Sequence, residues 1–256
     1  MLVLSGFLTG LLVGLTGVGG GALMTPLLLL FFGVPPVTAI GTDLWFAAIT
    51  KVLAGGVHHA KGLIDWQVLR RMWAGSLPAS AITIILMKIG WISLDANFLK
   101  KVIAYLILIT VFGLVFQKRF HGLGKHFRIT HEGVFKETQA PLTVFSGVIL
   151  GILVTLTSIG AGALGAVLLL YLYPLRLTPA KLVATDIAHA VPLAVFAGLG
   201  HLMIGHVDIN LLGTLLLGSL PGVYIGAKLS AILPGLIIRS ALAMVLFAVA
   251  IKLLMV

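Results

Sequence analysis

Two short patterns in this chain place reactive groups at fixed spacing. Each occurs twice. The first is a glycine-rich break, Thr16-Gly17-Val18-Gly19-Gly20-Gly21, with a second version at Thr157-Ser158-Ile159-Gly160-Ala161-Gly162. Such a break frees backbone N–H groups from helical bonding. Inside hydrocarbon those groups must find a partner or line a cavity. A half-helix starting just after the break points its free N–H groups and positive dipole end into that cavity, which favours an anion. Thr16, Thr157 and Ser158 add hydroxyl donors. The candidate substrate-binding set is therefore Thr16, Gly17, Gly19, Gly20 and Gly21 with Thr157, Ser158, Gly160, Ala161 and Gly162. The competing explanation is close helix packing through small residues. Gly6, Gly10 and Gly14, four residues apart, are assigned to that packing role.

The second pattern is Thr42-Asp43, repeated as Thr185-Asp186. Each pair follows a proline-containing turn, Pro35-Pro36 or Pro179, near the start of an apolar run. One role is an N-cap, in which Thr or Asp holds free N–H groups. The other follows from the cost of an acid inside apolar sequence, which usually faces a cavity. A carboxylate repels an anion, so proton handling or bonding to unwound backbone suits these acids better than ligation. Lys51 is the cation deepest inside an apolar run, eight residues after Asp43 and on roughly the same helix face. It is a candidate anion contact or ion-pair partner of Asp43. Its place in the second half holds Ala194, so its role is asymmetric.

The histidines form a looser set. His189 follows Asp186 by three residues on one helix face, a spacing that suits proton relay. His58 and His201 are matched between halves near helix ends, where an interfacial position is the simpler reading. The structural or proton-coupling set is Thr42, Asp43, Thr185, Asp186, His189, His58 and His201. His59 and His206 complete the histidines near helix ends, and Pro78, Pro221 and Pro192 sit inside predicted helices as kink candidates.

The elements that must position these groups are set by composition. Hydrophobic residues make up 60% of the chain and charged residues 9%, with a mean hydropathy of +1.18. A soluble domain carries about a quarter charged residues. The chain is thus an all-α polytopic membrane protein, long enough for roughly eight crossings of about 20 residues. The net charge of +10 does not point to nucleic acid, because Lys and Arg lie between the apolar runs. That is the pattern of cytoplasmic loops facing anionic lipid, so the bilayer is the expected partner. Cysteine is absent, which excludes disulfides and thiolate metal sites. No basic stretch precedes Met1–Thr16, which is not read as a cleaved signal peptide. No cofactor or metal is called for.

The apolar runs fall near 2–16, 20–32, 36–57, 68–88, 97–117, 141–157, 161–173, 180–203, 209–230 and 236–256. The runs 2–16 with 20–32, and 141–157 with 161–173, are too short to span singly. They read as broken helices or re-entrant hairpins. The chain also matches itself. Ser5-Gly6 returns as Ser146-Gly147 at an offset of 141, and the breaks keep that offset. An offset of 143 then relates Thr42-Asp43 to Thr185-Asp186, His58 to His201, Asp65 to Asp208 and Gly75-Ser76-Leu77-Pro78 to Gly218-Ser219-Leu220-Pro221.

The expected organisation is a first repeat over 1–117, a basic cytoplasmic linker over 118–140 and a second repeat over 141–256. Each repeat is a broken pair plus three full helices. His121, His126 and His131 in the linker read as solvated loop residues. If each broken pair enters and leaves on one side, the repeats are inverted. Twelve Lys and Arg then gather on the linker side, against four on the other. Parallel repeats give nine against seven. The positive-inside rule selects inversion, with both termini outside. Two thin spans per pair would give the same parity, so charge does not decide between hairpin and thin spans.

The run Gly14-Leu15-Thr16-Gly17-Val18-Gly19-Gly20-Gly21, Pro26 and Ala39-Ile40-Gly41-Thr42-Asp43 resembles the TauE/SafE family of membrane transporters. The second half, with Ala184-Thr185-Asp186 and Gly218-Ser219-Leu220-Pro221, is similar to that family's second repeat. The resemblance covers nearly the whole chain and implies a bacterial or archaeal inner-membrane permease. It also implies export of sulfite, sulfonates or related sulfur oxyanions. Departures from symmetry stand where Pro26 matches Val167 and Gly17 matches Ser158.

The functional expectation is a secondary transporter of a small oxyanion, bound between the two breaks and met by Lys51. A homodimer is a possible assembly. The alternative is a cation or metal permease using Asp43, Asp186 and the histidines. A membrane enzyme is disfavoured, since the chain lacks a His-Glu-x-x-His run or a Gly-x-Ser-x-Gly elbow.

Overall fold

The computed structural model describes residues 1–16, 21–57, 62–92, 95–230 and 235–255. Among them the secondary structure is helical, with no strand. The first half contains α1 (Leu2–Thr16), α2 (Gly21–Phe32), α3 (Pro36–Val57), α4 (Trp66–Lys88) and α5 (Ala96–Val115). The second contains α7 (Glu132–Thr157), α8 (Ala163–Leu172), α9 (Pro179–Ile204), α10 (Ile209–Ser230) and α11 (Gly235–Met255). Between them stands α6 (Gln117–Thr130). Five helices are long and apolar enough to cross a membrane: α3, α5, α7, α9 and α10. The molecule is a polytopic helical membrane protein.

The segment between the halves is helical, where a solvated loop was expected. It is α6 followed by the first turns of α7. His121 is also more than a solvated side chain, since its Nε2 lies 3.0 Å from the Pro174 carbonyl. The run from Phe116 to Phe127 places Phe116, Phe120, Leu123 and Phe127 on one side of a helix, which explains why this basic stretch folds.

The halves interlock. α1 packs on α10, and α7 packs on α4. Both contacts run through small residues. A Cβ added at Gly10 would strike the Ser219 carbonyl, and one at Gly151 the Ser76 carbonyl. Neither position has room for a side chain. The other contacts follow the same exchange: α3 with α10 and α9 with α4, α2 with α11 and α8 with α5. The pairs α3–α9 and α5–α11 complete the bundle.

The second broken pair folds back on itself as a helical hairpin. Ten residues of α8 reach about 15 Å at 1.5 Å per residue, half of a hydrocarbon core of about 30 Å. The end of α8 also returns to the level at which α7 comes in. Gln139 Nε2 donates to the Leu172 carbonyl, and Tyr173 OH lies 2.8 Å from Thr143 Oγ1. At the first pair, Lys252 at the end of α11 sits 4.4 Å over the ring of Phe31 at the end of α2.

Candidate functional site

The site is built where the second break meets α3 and α9. α7 ends at Ser158, which takes a left-handed conformation with φ 61°. Thr157 Oγ1 donates back to the Leu153 carbonyl at 2.6 Å and accepts from the Ile159 N–H at 3.2 Å. Gly160 and Gly162 both have φ 126°, a region that favours glycine. The chain then turns into α8, with the Gly165 N–H donating to the Gly160 carbonyl at 3.1 Å. Two side chains from neighbouring helices meet the break. The Asp186 carboxylate on α9 lies against its α8 side. Lys51 on α3 donates from Nζ to the Ala161 carbonyl at 2.9 Å.

Asp186 thus faces a helix other than its own. Its Oδ1 is so close to α8 that a Cβ at Gly165 would come within 2.7 Å. Asp43 does the corresponding work in the first half, accepting from Thr25 N at 3.2 Å and Thr25 Oγ1 at 2.5 Å on α2. Of the two roles offered for Thr42-Asp43 and Thr185-Asp186, the N-cap on their own helices is not the one observed. α3 begins at Pro36 and α9 at Pro179, each more than a turn earlier. The caps of α9 and α4 are Thr178 and Asp65.

Thr42 and Thr185 serve the opposite halves. Thr42 Oγ1 accepts the Asp208 N–H and Thr185 Oγ1 accepts the Asp65 N–H, both at 3.1 Å. Asp65 and Asp208 in turn accept from Val68 N and Leu211 N at the starts of α4 and α10. Each Thr-Asp pair thus ties two other elements to its own helix. The repetition of Asp65 as Asp208 was the sequence signal for this, although it did not reveal the partners.

Lys51 is 2% exposed. Its charge interacts with both Asp43 and Asp186, and also with His189. It borders a void lined by Leu44 and Ala47 of α3, Val154, Ser158 and Ala161 at the break, and Ala190 and Ala194 of α9. The void holds about one water molecule. Ala194, the repeat match of Lys51, faces the same space. Asp43 Oδ1, Asp186 Oδ1 and Ser158 Oγ are buried without a hydrogen-bond partner among the described residues. Ser158 lies beside Asp43, linking the second break to the first half.

A polar ladder leads away from this centre between α4, α7 and α9. His189 Nε2 lies 3.0 Å from Ser76 Oγ. One turn along α4, Ser80 Oγ lies 2.7 Å from Thr155 Oγ1. Thr155 donates its own hydroxyl proton to the Gly151 carbonyl, so Ser80 is the donor to Thr155. His201 Nε2 donates to the Thr155 carbonyl at 2.8 Å, and its ring stands 5.5 Å from that of His206. The interfacial reading of His201 is corrected: it is 1% exposed and binds α7, because α9 carries its last turn into the bundle. Burial also holds the His206 imidazole below its ordinary pKa.

Sequence reasoning missed Thr25, Ser76, Ser80 and Thr155. Each is a hydroxyl in an apolar run; Ser76 was marked only by its repeat at Ser219, and nothing in the linear pattern distinguishes the other three from packing residues. Thr16 closes onto its own helix, donating to the Leu12 carbonyl at 2.7 Å. Gly17, Gly19, Gly20 and His58 lie outside the described residues, and Gly21 begins α2.

Residues 2–253 match the family model described as "Sulfite exporter TauE/SafE". The probable membrane transporter protein YjnA of Bacillus subtilis is 33% identical over 213 residues, covering 82% of each chain. The probable membrane transporter protein YdhB of the same organism is 27% identical over 219 residues, 83% of this chain and 82% of its own. A probable membrane transporter protein of Haemophilus influenzae is 26% identical over 168 residues, 62% of this chain and 58% of its own. No solved structure matches.

Proposed function

Because this chain belongs to the TauE/SafE family of membrane transporters, we propose that it exports a small sulfur oxyanion, sulfite or a sulfonate, which meets the Lys51 ammonium. The observation that carries this reading is one buried cation at a void beside a glycine break. Its Nζ has three donors, and the Ala161 carbonyl takes one of them. The family description supplies the sulfur chemistry. The chain has no role as an enzyme.

The break itself is guarded in this conformation. The Asp186 carboxylate stands beside the start of α8, the helix end that the sequence assigns to an anion. With Asp43 and Asp186 both ionised, two negative charges face one positive charge. An anion then reaches Lys51 only with protonation or withdrawal of a carboxylate. Where the carboxylate is relieved by protonation, proton movement is coupled to anion movement. His189 and the ladder to His206 offer the proton a path toward one face.

The reciprocal pairing of the halves supports a two-fold repeat, and the bias of Lys and Arg toward one side supports its inversion, with both termini outside and α6 cytoplasmic. An inside-negative potential then favours efflux by about 2.3 kcal/mol per charge per 100 mV. A cation permease would draw on the same Asp43 and Asp186. The Lys51 ammonium argues against a cation in that void.

The test is flux of labelled sulfite, sulfate, thiosulfate and a small sulfonate in proteoliposomes, under an imposed potential and then a pH gradient. Saturable flux is expected, lost in Lys51→Met. Partial recovery is expected when Lys51→Ala is combined with Ala194→Lys, which returns the cation to the same void from α9. Unchanged oxyanion flux in Lys51→Met, or flux of divalent metal alone, sinks the proposal.

A further inference from the structure

Away from the transport site, a cleft of about 510 Å³ opens between α5 and α11 at the start of α6. Its walls are apolar, including Val111 and Leu114 of α5 and Met244 and Phe247 of α11. Met244 is 67% exposed and Phe247 52%, so the cleft opens onto the outer surface of the bundle. That surface faces acyl chains where α5 crosses the membrane.

One end of the cleft is different. It is closed by Gln117 and Lys118, the first two residues of α6. Lys118 is exposed. Gln117 is only 8% exposed, and its Oε1 has no hydrogen-bond partner among the described residues. A buried acceptor without a donor is costly, so its surroundings call for an O–H or N–H group. The same end leads into the basic helix α6, with Lys118, Arg119 and Lys125 in its first nine residues. Arg119 is held 5.3 Å over the Phe116 ring. Apolar walls, a cation at the rim and a buried acceptor beside it fit a molecule with a long hydrocarbon tail, a negative phosphate and a headgroup donor. A hydroxyl supplies that donor without setting an ammonium charge beside Lys118 and Arg119.

We propose that this cleft binds an anionic phospholipid with a hydroxyl-bearing headgroup, of the phosphatidylglycerol type. The acyl chain lies between α5 and α11, Lys118 meets the phosphate, and a headgroup hydroxyl donates to Gln117 Oε1. Bound lipid would fasten α6 to the membrane surface at the joint between the two halves. The site stands whatever the transported substrate is.

The experiment is native mass spectrometry of the whole chain, purified in detergent and supplied with phosphatidylglycerol, phosphatidic acid and phosphatidylcholine of the same acyl length. The wild-type chain is expected to retain phosphatidylglycerol about tenfold over phosphatidylcholine, and several-fold over phosphatidic acid. Lys118→Glu should erase the preference over phosphatidylcholine. Gln117→Leu should erase only the preference over phosphatidic acid. Lys118 is exposed, so its variant should fold, and an unchanged melting curve verifies this. Equal retention of the three lipids by the wild type overturns the proposal. So does a preference that survives Lys118→Glu, or a dimer sealed through Phe247 that holds no lipid.

Discussion

At the residue scale, the decisive fact is where the two buried carboxylates spend their charge. Asp43 and Asp186 do not cap their own helices; Asp43 binds Thr25 of α2, and Asp186 stands against the start of α8. Thr25 gives Asp43 two donors, and only the hydroxyl can be removed by mutation. Thr25→Val keeps the side-chain volume and deletes the hydroxyl. A hydrogen bond to a charged group contributes about 1.5–3 kcal/mol, so thermal unfolding in detergent should show a loss in that range. A variant as stable as the wild type would mean that Asp43 is protonated or otherwise satisfied. His206 gives a second residue-level expectation. Its pKa is held down by burial, so the unfolded chain binds more protons at mildly acid pH. That contribution to stability is complete above the unfolded histidine pKa of about 6.5 and is lost as pH falls through the folded value. Melting temperatures at pH 7.5 and 5.5 should therefore differ less in His206→Gln than in the wild type.

At the element scale, glycines separate two roles that look alike in the sequence. Gly151 stands against the Ser76 carbonyl, whereas an added Cβ at Gly213 in α10 meets nothing within 4 Å. Gly151→Ala should force α7 away from α4 and lower the melting temperature sharply. Gly213→Ala should be neutral or stabilising by up to about 1 kcal/mol, since alanine is the better helix former. Equal effects at both positions would refute the packing assignment. The hairpin of α7 and α8 follows from the same logic. Ser158, Gly160 and Gly162 let the chain reverse, and Tyr173 and Gln139 fix its return.

At the scale of the whole molecule, the two halves are alike in topology and unlike in their ties. The connection after α8 is fastened to α4. Arg176 bonds Asp65 through Nε at 2.5 Å and Nη2 at 2.8 Å, and reaches Gln67 at 2.8 Å. Arg71 Nη1 donates to Tyr173 OH at 3.1 Å. The Arg176 side chain is 42% exposed, so the pair adds little to stability, about 1 kcal/mol or less. Its effect should lie in which conformation prevails. The chain has no cysteine, so Ala161→Cys gives a single reporter at the void. Adding Arg176→Gln should raise the labelling rate of that thiol severalfold with little change in melting temperature. An unchanged rate would show that the Arg176–Asp65 contact does not gate the void.

Sequence by itself determined the class and the inventory. Sixty per cent hydrophobic residues and short apolar runs around glycine leave no fold but a membrane helix bundle with broken elements. The limits of α3, α9 and α10 were legible to within a residue or two, because proline turns and polar gaps interrupt hydrophobicity sharply. The duplicated Thr-Asp pairs and Lys51 were visible because charge inside hydrocarbon is rare. Partners were not legible. That Asp43 binds Thr25, that Lys51 binds the Ala161 carbonyl 110 positions away, and that His201 turns inward to Thr155 depend on helix rotation and crossing. Only tertiary packing fixes those. A linear pattern records which groups cannot be left in lipid, while the three-dimensional arrangement decides which group satisfies each of them.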